Sequence, residues 1–86
     1  MATYICRDMR VVKEITDKPV KITVFSWNEK YLIKLEHYGM EQTFKVSEFD
    51  ILEQEIDEIL SDQFIEEALL RFEEMARSLG SSMSKL

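Results

Sequence analysis

The chain predicts an α+β domain, with an antiparallel four-stranded β-meander followed by two C-terminal amphipathic helices packed on one sheet face. Three observations carry that reading. Apolar side chains alternate every second residue up to Ser47 and recur every three or four residues after it. Tight turns between the alternating segments bring apolar faces together. The helical half carries two apolar stripes that do not share one side of a straight helix.

The strands come first. Turns are expected at Thr16-Asp17-Lys18-Pro19, at Asn28-Glu29 and at Gly39-Met40. They bound strands at about 9–16, 20–27, 30–38 and 41–47. In the first, Met9, Val11 and Ile15 should face the core with Lys13 among them, an inward charge of the kind that blunts a sheet edge, with a short helix starting after Asp8 as the alternative. In the second, Val20, Ile22 and Val24 point one way, and Lys21, Thr23, Phe25 and Trp27 the other. A two-residue turn at Asn28-Glu29 pairs Trp27 with Lys30, Ile22 with Leu35 and Val24 with Ile33. A two-residue turn at Gly39-Met40 pairs Tyr38 with Glu41, Leu35 with Phe44 and Ile33 with Val46. Both registers keep apolar side chains on one face, as a half-buried sheet requires.

Beyond Ser47, which with Asp50 resembles a capping box, Phe49, Leu52, Ile56, Ile59 and Leu60 form one stripe. Ser61 opens a second segment whose stripe is Ile65, Ala68, Leu69, Phe72, Met75, Ala76 and Leu79, with Gly80 placed as a C-terminal cap. At about 100° per residue, Leu52 and Ile65 lie roughly 220° apart around a straight helix, so the chain must break near Ser61. Ile51 and Leu70 fall off these stripes. Residues 1–80 are expected as one domain, and residues 81–86 as a flexible tail.

Composition narrows the function. At 86 residues with 45% apolar and 33% charged side chains, the chain reads as globular rather than disordered, despite its net charge of −6. Cys6 is the only cysteine, which excludes an internal disulfide and fits a cytoplasmic setting. No apolar run suits a membrane span, and the first residues lack the order of a signal peptide. The ending Ser84-Lys85-Leu86 spells a peroxisomal address. Charge is split: residues 1–47 hold eight Lys/Arg against six Asp/Glu, and residues 48–86 three against eleven. The acidic helical half repels nucleic acid and anionic membrane, so such a partner would have to approach the sheet.

Catalytic signatures are missing from the sequence. His37 is the single histidine and is read as a strand residue bonded to a neighbour. One Cys and one His do not make a structural zinc site, and two glycines do not make a phosphate-cradling loop. The carboxylates lie on polar helix faces, where solvation accounts for them. No enzyme activity, metal or cofactor is therefore expected.

What departs from expectation is the outer sheet face, which should be mainly polar. It carries Phe25, Trp27, Leu32 and Tyr38 among Lys21, Lys34 and Lys45, with Lys34 opposite Lys45 in the expected register. This pattern points to a non-enzymatic binding module whose partner is a protein or a second copy, a homodimer. Residues 1–8 or the second helix covering the face is the structural alternative. Four strands followed by a helix also resembles, in element order, the repeats of purine-rich-element-binding proteins. The face itself offers the alternative partner, single-stranded nucleic acid, with bases stacked on Phe25, Trp27 and Tyr38 and Lys21, Lys34 and Lys45 at the phosphates.

Overall fold

The computed structural model describes residues 9–86. Four antiparallel strands run in chain order as a meander: β1 (Arg10–Ile15), β2 (Lys21–Trp27), β3 (Lys30–His37) and β4 (Met40–Ser47). A 3-10 turn at Glu53–Glu55 leads into a single helical turn, α1 (Ile56–Ile59), and then into the long helix α2 (Asp62–Met83). The expected α+β class and meander are what the chain adopts. No helix among the described residues is long and apolar enough to cross a membrane.

The β2–β3 pairing matches the expected register throughout, with Trp27 opposite Lys30, Val24 opposite Ile33 and Ile22 opposite Leu35. Asn28 and Glu29 both have positive φ, as a type I′ turn requires. The β3–β4 pairing differs. Its turn falls on Tyr38-Gly39, with φ values of 48° and 78°, so His37 pairs with Met40 and the ladder slides by two residues. Ile33 now faces Phe44, Leu35 faces Gln42, and Tyr31 faces Val46. An even slip keeps every side chain on its face. It also frees Met40 from the turn to pack against the core.

In β1 a bulge between Val11 and Lys13 inserts Val12, which is half-buried against the core. The extra residue reverses the alternation. Val11 therefore turns to the outer face opposite Phe25 and is 56% exposed, contrary to its expected core position. Lys13 and Ile15 keep the inner face, and Lys13 reaches Asp57 of α1 at 2.7 Å.

The core lies between the inner sheet face and the helices. Val20, Ile22, Val24, Tyr31, Ile33 and Leu35 meet Ile56, Leu60, Ile65, Ala68 and Phe72. The first helical segment is much shorter than its stripe suggests. Ser47 ends β4 instead of capping a helix, its hydroxyl accepting from the Phe49 N–H. Glu48 donates its N–H to the Glu29 carbonyl, and its carboxylate accepts from the Ser26 hydroxyl at 2.6 Å. Those bonds turn the chain back past the β2–β3 hairpin toward β1. A helix continuing from Ser47 would carry it away. Phe49 and Leu52 are consequently exposed, whereas Ile51, expected to be exposed, packs against the core.

The break near Ser61 is present. Ser61 caps α2, its hydroxyl accepting from the Phe64 N–H at 3.2 Å. Gln42 fastens α2 to β4, donating to the Ala68 carbonyl at 3.0 Å and accepting from the Arg71 side chain at 2.8 Å. The Phe44 ring packs against Phe64 with Arg71 over its face. The helix passes through Gly80, the expected stop, and ends at Met83.

Candidate functional site

On the outer face, pairing across all four strands builds a row of Val11, Phe25, Leu32 and Lys45. Directly paired side chains sit about 4.5–5.5 Å apart at Cβ, so the first three make a continuous apolar strip. Trp27 stands in the next row, opposite Lys30, which in turn faces Ser47. On the other side of the strip runs the row Glu14, Thr23, Lys34 and Thr43. Phe25, Trp27 and Leu32 are half-buried, while Thr23, flanked by the long side chains of Glu14 and Lys34, is buried. The helices pack on the opposite face, which removes α2 as a cover for this one. Residues 1–8, the other candidate cover, lie outside the described residues.

Five of the seven residues expected at the site therefore lie close together: Phe25, Trp27, Leu32, Lys34 and Lys45. Two do not. Lys21 lies two rows from Phe25, roughly 13 Å at the usual strand rise, and its ammonium stands 3.9 Å from the Glu14 carboxylate. Tyr38 occupies the β3–β4 turn at 90% exposure, its ring edge-on to His37 at 4.4 Å. All of β3 separates it from the Trp27 row, roughly 26 Å at the same rise.

The expected Lys34–Lys45 opposition is absent. The slide of β4 sets Thr43 opposite Lys34 and Leu32 opposite Lys45, and Lys34 pairs with Glu41 at 3.6 Å. Lys30 and Lys45 make no ion pair among the described residues. Val11 and Lys30 complete the surface and escape a reading of the sequence for different reasons. Val11 depends on a bulge that alternation does not reveal. Lys30 was readable, because the Asn28-Glu29 hairpin already sets it opposite Trp27.

Elsewhere, among the described residues, no buried side-chain nitrogen or oxygen lacks a hydrogen-bond partner. The His37 ring donates from Nδ1 to the Pro19 carbonyl at 3.2 Å and stacks at a tilt on Phe72. Burial, reinforced by the carboxylates of Glu48 and Glu53, pushes the Tyr31 hydroxyl above its usual pKa. Among the described residues no group of three or more His, Cys, Asp or Glu is placed to hold a metal ion.

The fold and surface define a small α+β domain with an apolar, lysine-flanked sheet face. Comparison with protein-family models, with curated proteins and with solved structures finds no match.

Proposed function

We propose that the chain is a non-enzymatic binding module that holds a partner protein on the outer face of its sheet. The observation that carries this reading is the strip Val11–Phe25–Leu32 with Trp27 beside it, on the face turned away from both helices. A solvated sheet face is ordinarily polar, and an apolar patch with a polar rim is a common mark of an interface. Aromatic side chains such as Phe25 and Trp27 supply most of the energy where such patches bind. Lys30 and Lys45, free of ion pairs among the described residues, favour a partner whose apolar contacts are bordered by carboxylates. A second copy presenting this same face would bring lysines to both sides, so a different protein fits better.

A displayed random-peptide library tests the reading. Selection on the intact chain, with counter-selection on Phe25→Ala/Trp27→Ala, should enrich apolar peptides flanked by Asp or Glu. Each single alanine change should weaken the selected peptides by about 2 kcal/mol or more. Peptides that bind the double variant equally well would overturn the assignment. Saturable binding of labelled single-stranded DNA or RNA at low salt, lost in the double variant, would transfer the face to nucleic acid instead.

A further inference from the structure

The two edges of the sheet are built differently. At one edge β1 is six residues long, is bulged at Val12 and carries the inward Lys13. Bulges and inward charges keep further strands from adding to a sheet. At the other edge β4 runs eight residues without bulge, proline or inward charge, and no described segment pairs with its far side. His37 and Met40 close a two-residue turn and so exchange hydrogen bonds. Alternation then directs the backbone groups of Gln42, Phe44 and Val46 to β3, and the bond from the Glu48 N–H to the Glu29 carbonyl continues that pattern. Glu41, Thr43 and Lys45 therefore present their N–H and C=O groups along the open edge. Phe44, on the inner face beside Phe64, is still 37% exposed there.

We propose that this edge takes a second copy of the chain, the two β4 strands pairing antiparallel about a two-fold axis at Thr43 to make one eight-stranded sheet. Backbone geometry limits the registers. Residues with outward groups must meet residues with outward groups, so the axis falls on a residue and not between two. An axis on Gln42 sets Glu41 opposite Thr43, and one on Phe44 sets Thr43 opposite Lys45. An axis on Thr43 sets Glu41 of each copy opposite Lys45 of the other, with Thr43 opposite its own equivalent. Opposite charges and threonine pairs are favourable cross-strand neighbours, and each of these pairs also exchanges two backbone hydrogen bonds. Within one copy Glu41 faces Glu36 across the ladder, with Lys34 at 3.6 Å from Glu41. A lysine arriving on the open side offsets that like-charge pair, and Lys45 makes no ion pair of its own among the described residues. The same register sets Gln42 of each copy opposite Phe44 of the other, covering the exposed ring. A strand of a different protein would satisfy the same backbone groups, but the edge's own sequence is already its complement. Both outer edges of the joined sheet are then β1, whose bulge and Lys13 stop further addition, so assembly closes at two.

This goes beyond the sheet-face reading and stands on the strand edge instead of the face. Sedimentation equilibrium of the full chain should show a concentration-dependent dimer, and Phe25→Ala/Trp27→Ala should leave it intact, so the two readings fail separately. Thr43→Pro removes an N–H that points away from β3, a position where an edge strand tolerates proline. It should raise the dissociation constant at least about 30-fold, the size of two lost hydrogen bonds, with the circular dichroism spectrum unchanged. Lys45→Glu should raise it about 10-fold, and Glu41→Lys added to Lys45→Glu should restore it. A strict monomer at the highest attainable concentration overturns the proposal, as does a dimer indifferent to both Thr43→Pro and Lys45→Glu. The register is read by oxidation in a Cys6→Ser background. Thr43→Cys places two Cα atoms about 5.5 Å apart, within disulfide range, whereas Glu41→Cys leaves them roughly 13 Å apart along the strands. Cross-linking of Glu41→Cys as readily as Thr43→Cys would refute the axis at Thr43.

Discussion

Replacing Phe72 by alanine removes the side chain at which α2 stops being part of the core. The ring is 1% exposed and sits among His37, Ala68 and the inner sheet residues. Truncating a fully buried phenylalanine costs about 3–5 kcal/mol, and a chain of this length has roughly 4–13 kcal/mol of total stability. The urea midpoint should therefore fall by about 2 M or more, at an m-value of roughly 1–1.5 kcal/mol/M. Leu79→Ala is the matched control. It lies seven residues further along the same stripe but is 57% exposed, so in the monomer it should change stability by no more than about 0.5 kcal/mol. Urea titrations followed by far-ultraviolet circular dichroism, at concentrations low enough to keep the chain monomeric, compare the two. Equal losses would mean that the far half of α2 belongs to the core, and the reasoning about its exposed stripe would collapse. A Phe72→Ala loss under 1 kcal/mol would equally remove Phe72 as the anchor.

Three further outcomes are expected. Ser61→Ala removes the hydroxyl that accepts from the Phe64 N–H and should cost about 1 kcal/mol in the same titration. Glu29→Gly should stabilise the chain by about 1 kcal/mol, since Glu29 holds a φ of 63° that glycine adopts without its Cβ penalty; a loss of stability would show that the Glu29 side chain matters more than its backbone. Tyr31, with its pKa raised above the usual value of about 10, should form phenolate only above that pH when followed by ultraviolet absorbance, with Tyr31→Phe identifying its step. Because folding favours the protonated form, its contribution to stability is complete below pH 10 and is lost as pH rises through the raised pKa.

Local chemistry made the β2–β3 hairpin readable, because Asn28-Glu29 and the flanking alternation specify one register between them. The β3–β4 hairpin was readable only to within two residues. Alternation has a period of two and is blind to an even slip, so faces survived while partners changed. Tertiary contacts decide between the registers: Met40 reaches the core, and Gln42 meets the Ala68 carbonyl and Arg71. The first helix failed for a related reason. Phe49 and Leu52 have helical spacing, but the bonds from Glu48 to Glu29 and Ser26 join residues about twenty apart in sequence, beyond the reach of any local pattern. The candidate site was legible where it rests on strand parity, at Phe25, Trp27, Leu32, Lys34 and Lys45. It was misread at Tyr38, which belongs to the turn.

Lys13 shows how stability and sheet protection separate in one side chain. It points to the inner face of edge strand β1 and meets Asp57 at 2.7 Å, but the two side chains remain 36% and 64% exposed. Water screens such a pair, and its contribution is about 0–1 kcal/mol. Lys13→Met keeps the aliphatic length beside Val12 and Ile56 while removing the charge. Its effect on stability should stay within about 1 kcal/mol, because the lost attraction is offset by apolar contact. The edge, however, loses the inward charge that discourages another strand from pairing with it. Lys13→Met should therefore aggregate faster than the parent on agitation, followed by thioflavin fluorescence, although its urea midpoint is nearly unchanged. A drop of more than 2 kcal/mol would show that the ion pair is a structural bond, and unchanged aggregation would show that β1 is shielded by something other than Lys13.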